Sequence, residues 1–434
     1  MKVAISTLGC RVNIYDTEIM ISALKEDNFE VVSYDEFADV YCINTCTVTN
    51  TSDKKSRQFI AKCKKINPNA IIAMVGCYPQ VSKDEVSNIK DVNIILGNRF
   101  KSQLAYYIRL FLETRNQVIK VDDNILRNIT FEDRSIKTLK DKHRAFIKIQ
   151  DGCNKFCTYC IIPFARGGVC SKEPRKVFDE VKSLVSNGYK EVVLTGINST
   201  SYGDDLSENI NLVSLIELLD EIDGLERIRV GSVDPEFFTT EIIVRISKIK
   251  KFMPHFHLSL QSGCDSVLKR MRRKYDVALY KRVVEDLRRE INDVSITTDI
   301  IVGFPAETDS EFNETYEFLK NIKLQDMHVF KYSKRSGTKA AEMENQVDER
   351  IKDERSKKLI ELNKVNKFGF QKKYLGQTLD VLYCTSISDG SGVYGYTKNY
   401  TKVVLNAGKE YLGEIVSTHI IDLKDDYLIG QHLK

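Results

Sequence analysis

Three cysteines stand within eight positions in QDGCNKFCTYC, residues 150–160: Cys153, Cys157 and Cys160. Thiolates at this density on one loop hold either zinc or an iron–sulfur cluster. A structural zinc site takes four ligands, usually from paired CxxC units, and CTYC is the only CxxC in the chain. A four-iron cube held by three cysteines instead leaves one iron open to another molecule. Three further cysteines end apolar, strand-like runs near the N-terminus: Cys10 closes KVAISTLGC, Cys46 closes DVYCINTC and Cys77 closes AIIAMVGC. If those runs are neighbouring parallel strands, the three thiols share the sheet edge where open α/β sheets bind ligands. They then form a second cluster site, or are buried as small apolar residues. Cys42 falls mid-strand and Cys63 mid-helix, while Cys170, Cys264 and Cys384 lack partners at ligand spacing. These five read as packing residues.

The elements that must position these cysteines divide the chain into three parts. Residues 1–125 alternate strand-like runs (KVAIST, DVYCIN, AIIAMVG, NIILG) with amphipathic stretches, the mark of a parallel sheet covered by helices. Residues 126–144 are polar and charged and read as a linker. A second alternating series occupies 145–340, with strands expected at AFIKIQ, EVVLTG, RIRVGS, FHLSLQ, SITTDIIVGF and MHVFKYS. Segments such as PRKVFDEVKSLVSNG between them carry helical spacing. Six βα units predict a partial (βα)6 barrel with its function at the carboxyl ends of the strands. A connecting segment follows at 341–372, with a charged helix from about 348, and 373–434 is a run of short strands and Gly, Asp and Asn turns that predicts a small OB-like β-barrel.

Composition narrows the class. A chain of 434 residues with 42% hydrophobic and 29% charged content is a multidomain globular protein. No apolar run reaches the roughly 18 residues of a membrane-spanning helix, and the N-terminus lacks a secretory pattern, so a cytoplasmic location is expected. Eleven cysteines in such a chain point to metal or redox chemistry rather than disulfides. The net charge of +4 does not by itself call for a nucleic-acid partner. Two basic runs, KRMRRK (269–274) and the set Lys54, Lys55, Arg57, Lys62, Lys64 and Lys65, read as solvated helix faces. His255 and His257 alternate on one strand, but with no third ligand nearby in sequence a metal site there is not expected. Tyr394, Tyr396, Lys398, Tyr400 and Lys402 interleave aromatic and basic side chains, as RNA-binding barrels do and as ordinary strands also do.

CNKFCTYC followed by IIPFARG resembles the radical S-adenosylmethionine superfamily. That resemblance implies a [4Fe-4S] cluster on Cys153, Cys157 and Cys160, with S-adenosylmethionine chelating the fourth iron. It also implies an external electron donor, and cleavage of the cofactor to a radical able to abstract hydrogen from carbon. TLGCRVN (7–13), NTC (44–46), GCYPQ (76–80) and HLSLQSG (257–263) extend the resemblance, over essentially the whole chain, to the methylthiotransferases. Those enzymes carry a second, auxiliary [4Fe-4S] cluster, which falls here on Cys10, Cys46 and Cys77, and a C-terminal TRAM domain that binds RNA. GCRVN, IYDTE and QSGCD resemble the branch that acts at C2 of N6-threonylcarbamoyladenosine in the tRNA anticodon stem-loop. The alternatives are isopentenyladenosine in tRNA, a ribosomal protein aspartate, or a metal-stapled RNA-binding protein without activity. By the same resemblance Gly196 and Asn198 border the cofactor, and Gln261, Asp299, Gly303 and Pro305 line the barrel's active end. Gly303 and Pro305 also suit a plain turn. Cys170 stands where the resemblance leads one to expect an arginine.

Overall fold

The apolar runs of the first 120 residues assemble into one parallel sheet. Its six strands lie in the order Glu30–Val32, Lys2–Thr7, Val40–Thr45, Ile71–Gly76, Ile94–Leu96 and Val118–Lys120. The computed structural model describes residues 1–432 apart from 49, 133, 137–142 and 208. Part of the linker expected at 126–144 therefore lies outside the described residues. Val40–Thr45 and Ile71–Gly76 are buried along their whole length, because helices cover both faces of the sheet. Alternation sorts their side chains. Val40, Cys42, Ala73 and Val75 pack toward helices Arg11–Glu26 and Leu104–Thr114, while Tyr41, Ile43, Ile72 and Met74 pack toward helix Asn50–Ile66. Lys2–Thr7, Val40–Thr45, Ile71–Gly76 and Ile94–Leu96 agree with the four expected runs; the short edge strands at 30–32 and 118–120 have too few residues to show an alternation.

The second series forms six parallel strands. Arg144–Lys148 and Arg227–Val230 flank Glu191–Thr195, and past Gly231 the same stretch continues as Ser232–Val233 beside His255–Leu258. Ser295–Val302 and Asp326–Lys331 complete the partial barrel. Helices close its outside by ordinary periodicity. In Val277–Glu290, Tyr280, Val283, Val284 and Leu287 fall on one buried face, and the Asp276 side chain caps the first turn by accepting from the Leu279 N–H. Truncating Leu287 to alanine would cost about 2–5 kcal/mol. A 24-residue helix, Glu349–Lys372, leads to a closed five-stranded barrel from Thr378 to His432. Among the described residues no helix is long and apolar enough to cross a membrane.

Buried charge joins the parts. Arg227 donates to the carbonyls of Tyr396 (2.9 Å) and Asp380 (3.0 Å), and Arg229 to those of Lys398 (2.8 Å) and Thr397 (2.7 Å), so the C-terminal barrel rests on two guanidiniums. Glu191, fully buried, neutralises them from the neighbouring strand, 3.0 Å from Arg229. On the opposite side Asp16 of the first helix binds Lys101, Lys148 (2.6 Å) and Arg166 (3.1 Å). Burial opposes its ionisation, yet the three cations hold its carboxyl well below the usual range.

Candidate functional site: two cysteine triplets near adjoining cavities

Cys10, Cys46 and Cys77 follow three adjacent strands, Lys2–Thr7, Val40–Thr45 and Ile71–Gly76, at their carboxyl ends. Cys10 is the residue before helix Arg11–Glu26, and Cys77 opens the short helix Cys77–Val81. Gly9 and Gly76 make the turns possible with φ of +98° and +101°. The fit is tight: a Cβ on Gly9 would lie 2.5 Å from the Cys46 Cβ. Asn13 ties the loops together, its Nδ2 donating to the Leu8 carbonyl (2.8 Å) and the Thr45 carbonyl (2.9 Å). Arg166 of the barrel donates to the Asn13 Oδ1 (2.5 Å), and Asn98 donates to the Cys77 sulfur (3.4 Å) and the Ala165 carbonyl (2.7 Å). Burial pushes the Cys46 thiol up to about 11, with further repulsion from Cys77 and Cys10.

Cys153, Cys157 and Cys160 occupy the loop after strand Arg144–Lys148. The basic run 269–274 holds that loop. Thr158 donates its N–H to the Met271 carbonyl (3.2 Å) and its hydroxyl to that of Arg270 (2.9 Å). Arg273 donates to the Cys157 sulfur (3.3 Å) and to Asp234 (2.5 Å), so this run is not merely a solvated face. Burial raises Cys153 to about 11 and Cys160 to about 12. Metal binding must therefore displace protons from thiols that are neutral at pH 7.

Among the described residues, the one set of three His, Cys, Asp or Glu ligand atoms all within 4.8 Å of one another is His257, Asp299 and His328. Neither cysteine triplet is that tight. A single zinc, with Zn–S near 2.3 Å, gathers its sulfurs to roughly 3.8 Å. Three thiols without a fourth protein ligand suit a cluster with one open iron.

The cavity at the barrel mouth is lined by all three loop cysteines together with Asn198, Ser232, Asp234, Gln261, Arg273 and Asp299. Its volume of about 340 Å³ suits a small molecule. A second cavity adjoins it, sharing Val48, Ile162, Ile197, Ser232 and Asp299, and runs past Cys10, Arg11, Gly196, His255 and His257 to Tyr396, Tyr400 and Lys402. Gln261, with φ +70°, aligns its backbone with Asp299 and Ile301. Asn198 spends its amide on the Ser201 hydroxyl (3.0 Å). Gly303 and Pro305 line neither cavity. A Cβ on Gly303 would meet Lys352 of the long helix at 2.3 Å, so this turn packs outward. The His255–His257 strand does gain neighbours that the sequence hides: register pairs Asp299 with His328 and places both beside His257, whose Nε2 is 3.3 Å from Asp299. That set could hold a cation or hydrogen-bond a substrate. Cys170 is buried with its sulfur 3.7 Å from the Asp151 carbonyl, and Arg166 occupies the nearby carboxylates.

Residues 2–97 match the uncharacterized protein family UPF0004, and residues 147–319 the radical SAM superfamily. Threonylcarbamoyladenosine tRNA methylthiotransferase MtaB of Bacillus subtilis is 40% identical, with 100% of this chain and 96% of that protein covered. The chain belongs to the radical SAM methylthiotransferases. MtaB of Aquifex aeolicus is 42% identical over 88% of this chain and 92% of its own. A tRNA-2-methylthio-N(6)-dimethylallyladenosine synthase of Clostridium botulinum is 36% identical over 99% and 96%. In fold the chain is similar to the radical S-adenosylmethionine methyltransferase TsrM of Kitasatospora setae, solved with cobalamin and a [4Fe-4S] cluster (TM-score 0.57, 14% identity, 78% of this chain and 77% of that one). As a radical SAM methylthiotransferase the protein uses S-adenosylmethionine and a [4Fe-4S] cluster and acts on tRNA.

Sequence reasoning named the six cysteines as candidate ligands and did not anticipate the side chains that surround them. Asn13, Asp16, Asn98, Arg166 and Arg273 act across 15 to 153 residues of chain. Only the placement of Asn13 and Asp16 on the helix that begins just after Cys10 could have drawn notice.

Proposed function

We propose that the protein inserts a methylthio group at C2 of N6-threonylcarbamoyladenosine beside the tRNA anticodon. Cys153, Cys157 and Cys160 hold the radical-domain cluster, and Cys10, Cys46 and Cys77 hold a second [4Fe-4S] cluster that carries the sulfur. When bound, the first cluster and S-adenosylmethionine supply a radical strong enough to take hydrogen from carbon, with electrons from an external donor. The chain's own residues position and shield. Arg273 fixes Cys157, while Gly196, Asn198, Gln261 and Asp299 border the cofactor and substrate. Gly303 and Pro305 shape the strand end from behind. We assign 1–125 to the auxiliary-cluster domain, 145–340 to the radical domain and 373–434 to RNA binding, with 126–144 and 341–372 connecting them.

The observation that carries this reading is the junction of the two cavities, with one thiol triplet on the first and Cys10 on the second. Substrate identity is supported by the full-length similarity to the two MtaB proteins. Two measurements test it. Anaerobically reconstituted protein should hold about eight irons, from two four-iron clusters; one zinc and no iron would overturn the chemistry. Nucleosides from a strain lacking the gene should lose 2-methylthio-threonylcarbamoyladenosine alone; loss of the methylthio-dimethylallyl nucleoside instead would overturn the substrate.

A further inference from the structure

The second cavity is lined by a set of cations, and all but two have a carboxylate partner or stand on backbone. Lys367 is 3.0 Å from Asp326, and His257 lies against Asp299. Arg229, just behind the wall, is neutralised by Glu191 and donates to the C-terminal barrel. Lys402 sits at the outer end, over the ring of Tyr394 at 4.6 Å. Arg11 is different. It lies on the inner wall next to Cys10, and among the described residues no carboxylate pairs with it. Its Nη2 donates only to the Tyr400 hydroxyl (3.3 Å), and its guanidinium carbon lies 5.6 Å from the centre of the Phe146 ring and 5.9 Å from that of Tyr400. A fixed guanidinium with free donors, in a half-buried apolar frame, is a preorganised reader of a carboxylate.

A second observation stands beside it. His255 lines the same cavity, stacks on Tyr400 at 4.7 Å, and is buried with its Nδ1 lacking any hydrogen-bond partner. Tyr400 itself is held at φ +69°, a conformation unusual for a side chain of its size, and its ring is stacked on Tyr396 at 4.5 Å. Three parts of the chain thus contribute to one polar corner: Arg11 from the first domain, His255 from the barrel and Tyr400 from the C-terminal barrel.

We propose that Arg11, with His255 and Tyr400, is the subsite for the carboxylate-bearing substituent on N6 of the substrate adenosine. The inference rests on the threonylcarbamoyl reading, since that substituent ends in a carboxylate and a dimethylallyl group does not. Arg11 takes the carboxylate through its fork. His255 stacks on Tyr400 and walls the same corner. Because Arg11 adjoins Cys10, seating the substituent there sets the base against the side of the cavity where the auxiliary thiols lie.

The test uses the full-length, cluster-loaded protein and three synthetic anticodon stem-loops that differ only at N6: the threonylcarbamoyl acid, its methyl ester and the dimethylallyl group. Dissociation constants by fluorescence anisotropy and kcat/KM are both read. The wild type should favour the acid over the ester by about 10- to 100-fold in each, as a charge-assisted bidentate pair would. Arg11→Gln should reduce that ratio to within about threefold, and Arg11→Lys should restore part of it. Equal use of acid and ester by the wild type, or an unchanged ratio in Arg11→Gln, overturns the subsite alone. Action on the dimethylallyl stem-loop and on neither threonylcarbamoyl form overturns the substrate reading and the subsite with it. If Arg11→Gln loses iron, the wild-type acid-to-ester ratio decides.

Discussion

Replacing Asp16 by asparagine removes one charge from a fully buried ionic cluster. Asp16 and its partners Lys101, Lys148 and Arg166 all have side chains no more than 5% exposed. A lysine at 2.6 Å attracts the carboxylate by about 6 kcal/mol at an effective dielectric of 20, before the cost of drying both groups. What is measured is the net effect of leaving the cations uncompensated, about 3–5 kcal/mol. The lower end is expected, because Asp151 remains 2.9 Å from Arg166 and 3.4 Å from Lys148. Urea unfolding followed by near-ultraviolet circular dichroism should show the first transition of Asp16→Asn shifted by about 3 kcal/mol at pH 7. Adding Lys101→Met should recover roughly half of that, since it removes the orphaned cation. The pH dependence gives a second check. A carboxyl held low in the folded state contributes stability that is fully present above its unfolded value near 3.8 and lost as pH falls through the folded one. The gap between wild type and variant should therefore be constant from pH 8 to about 5 and narrow below about pH 4. A loss under about 1 kcal/mol at pH 7, or a gap that widens in acid, would refute this account.

Other perturbations separate the two thiol sites. Cys157→Ala should abolish 5′-deoxyadenosine formation, whereas Cys46→Ala should retain at least part of it yet give no methylthiolated nucleoside, both read by mass spectrometry; full product with repeated turnover in Cys46→Ala would remove the auxiliary role. Gly9→Ala should lower bound iron by about half, because residue 9 has φ +98° and its new methyl would collide with Cys46; unchanged iron content would mean the loop gives way. Lys402→Ala should weaken stem-loop binding at low salt and reduce the salt slope by about 0.7, the value for one phosphate contact on a single strand, measured by anisotropy across a salt series.

The cysteines were legible because two local signals coincided on them. An apolar run with β-branched residues marks a buried parallel strand, and a cysteine just past it marks the strand's carboxyl end. Val40–Thr45 followed by Cys46 shows both. What could not be read was decided by register and by distant partners. Asp299 and His328 are 29 residues apart and meet only because their strands pair in that register. Gly303 looked like part of the active end, but its missing side chain makes room for Lys352, far along the chain. Tyr396 and Tyr400 suited a stacking surface for bases and ordinary strand composition equally. Their place in the seam between domains, with Arg144 over both rings at 4.6 and 5.3 Å, could not be read from that pattern.

That seam explains why so much charge is buried where the sheet domain meets the barrel. The thiols of one triplet come from the sheet domain and those of the other from the barrel, so their separation depends on how two domains meet. Apolar packing alone tolerates sliding, since any apolar surface will do. Ion pairs and hydrogen bonds do not, because a shift of an ångström or two leaves buried groups unpaired at about 1–3 kcal/mol each. Arg166 makes this concrete. One guanidinium touches Asn13, Asp16 and Asp151, linking the loop that carries Cys10 to the strand end that precedes Cys153. Asn98 does the same for Cys77 through the Ala165 carbonyl, one residue away. The short helix Ile162–Arg166, immediately after Cys160, is thus the common support of both triplets, and the spacing between them is set by hydrogen bonds from its last two residues.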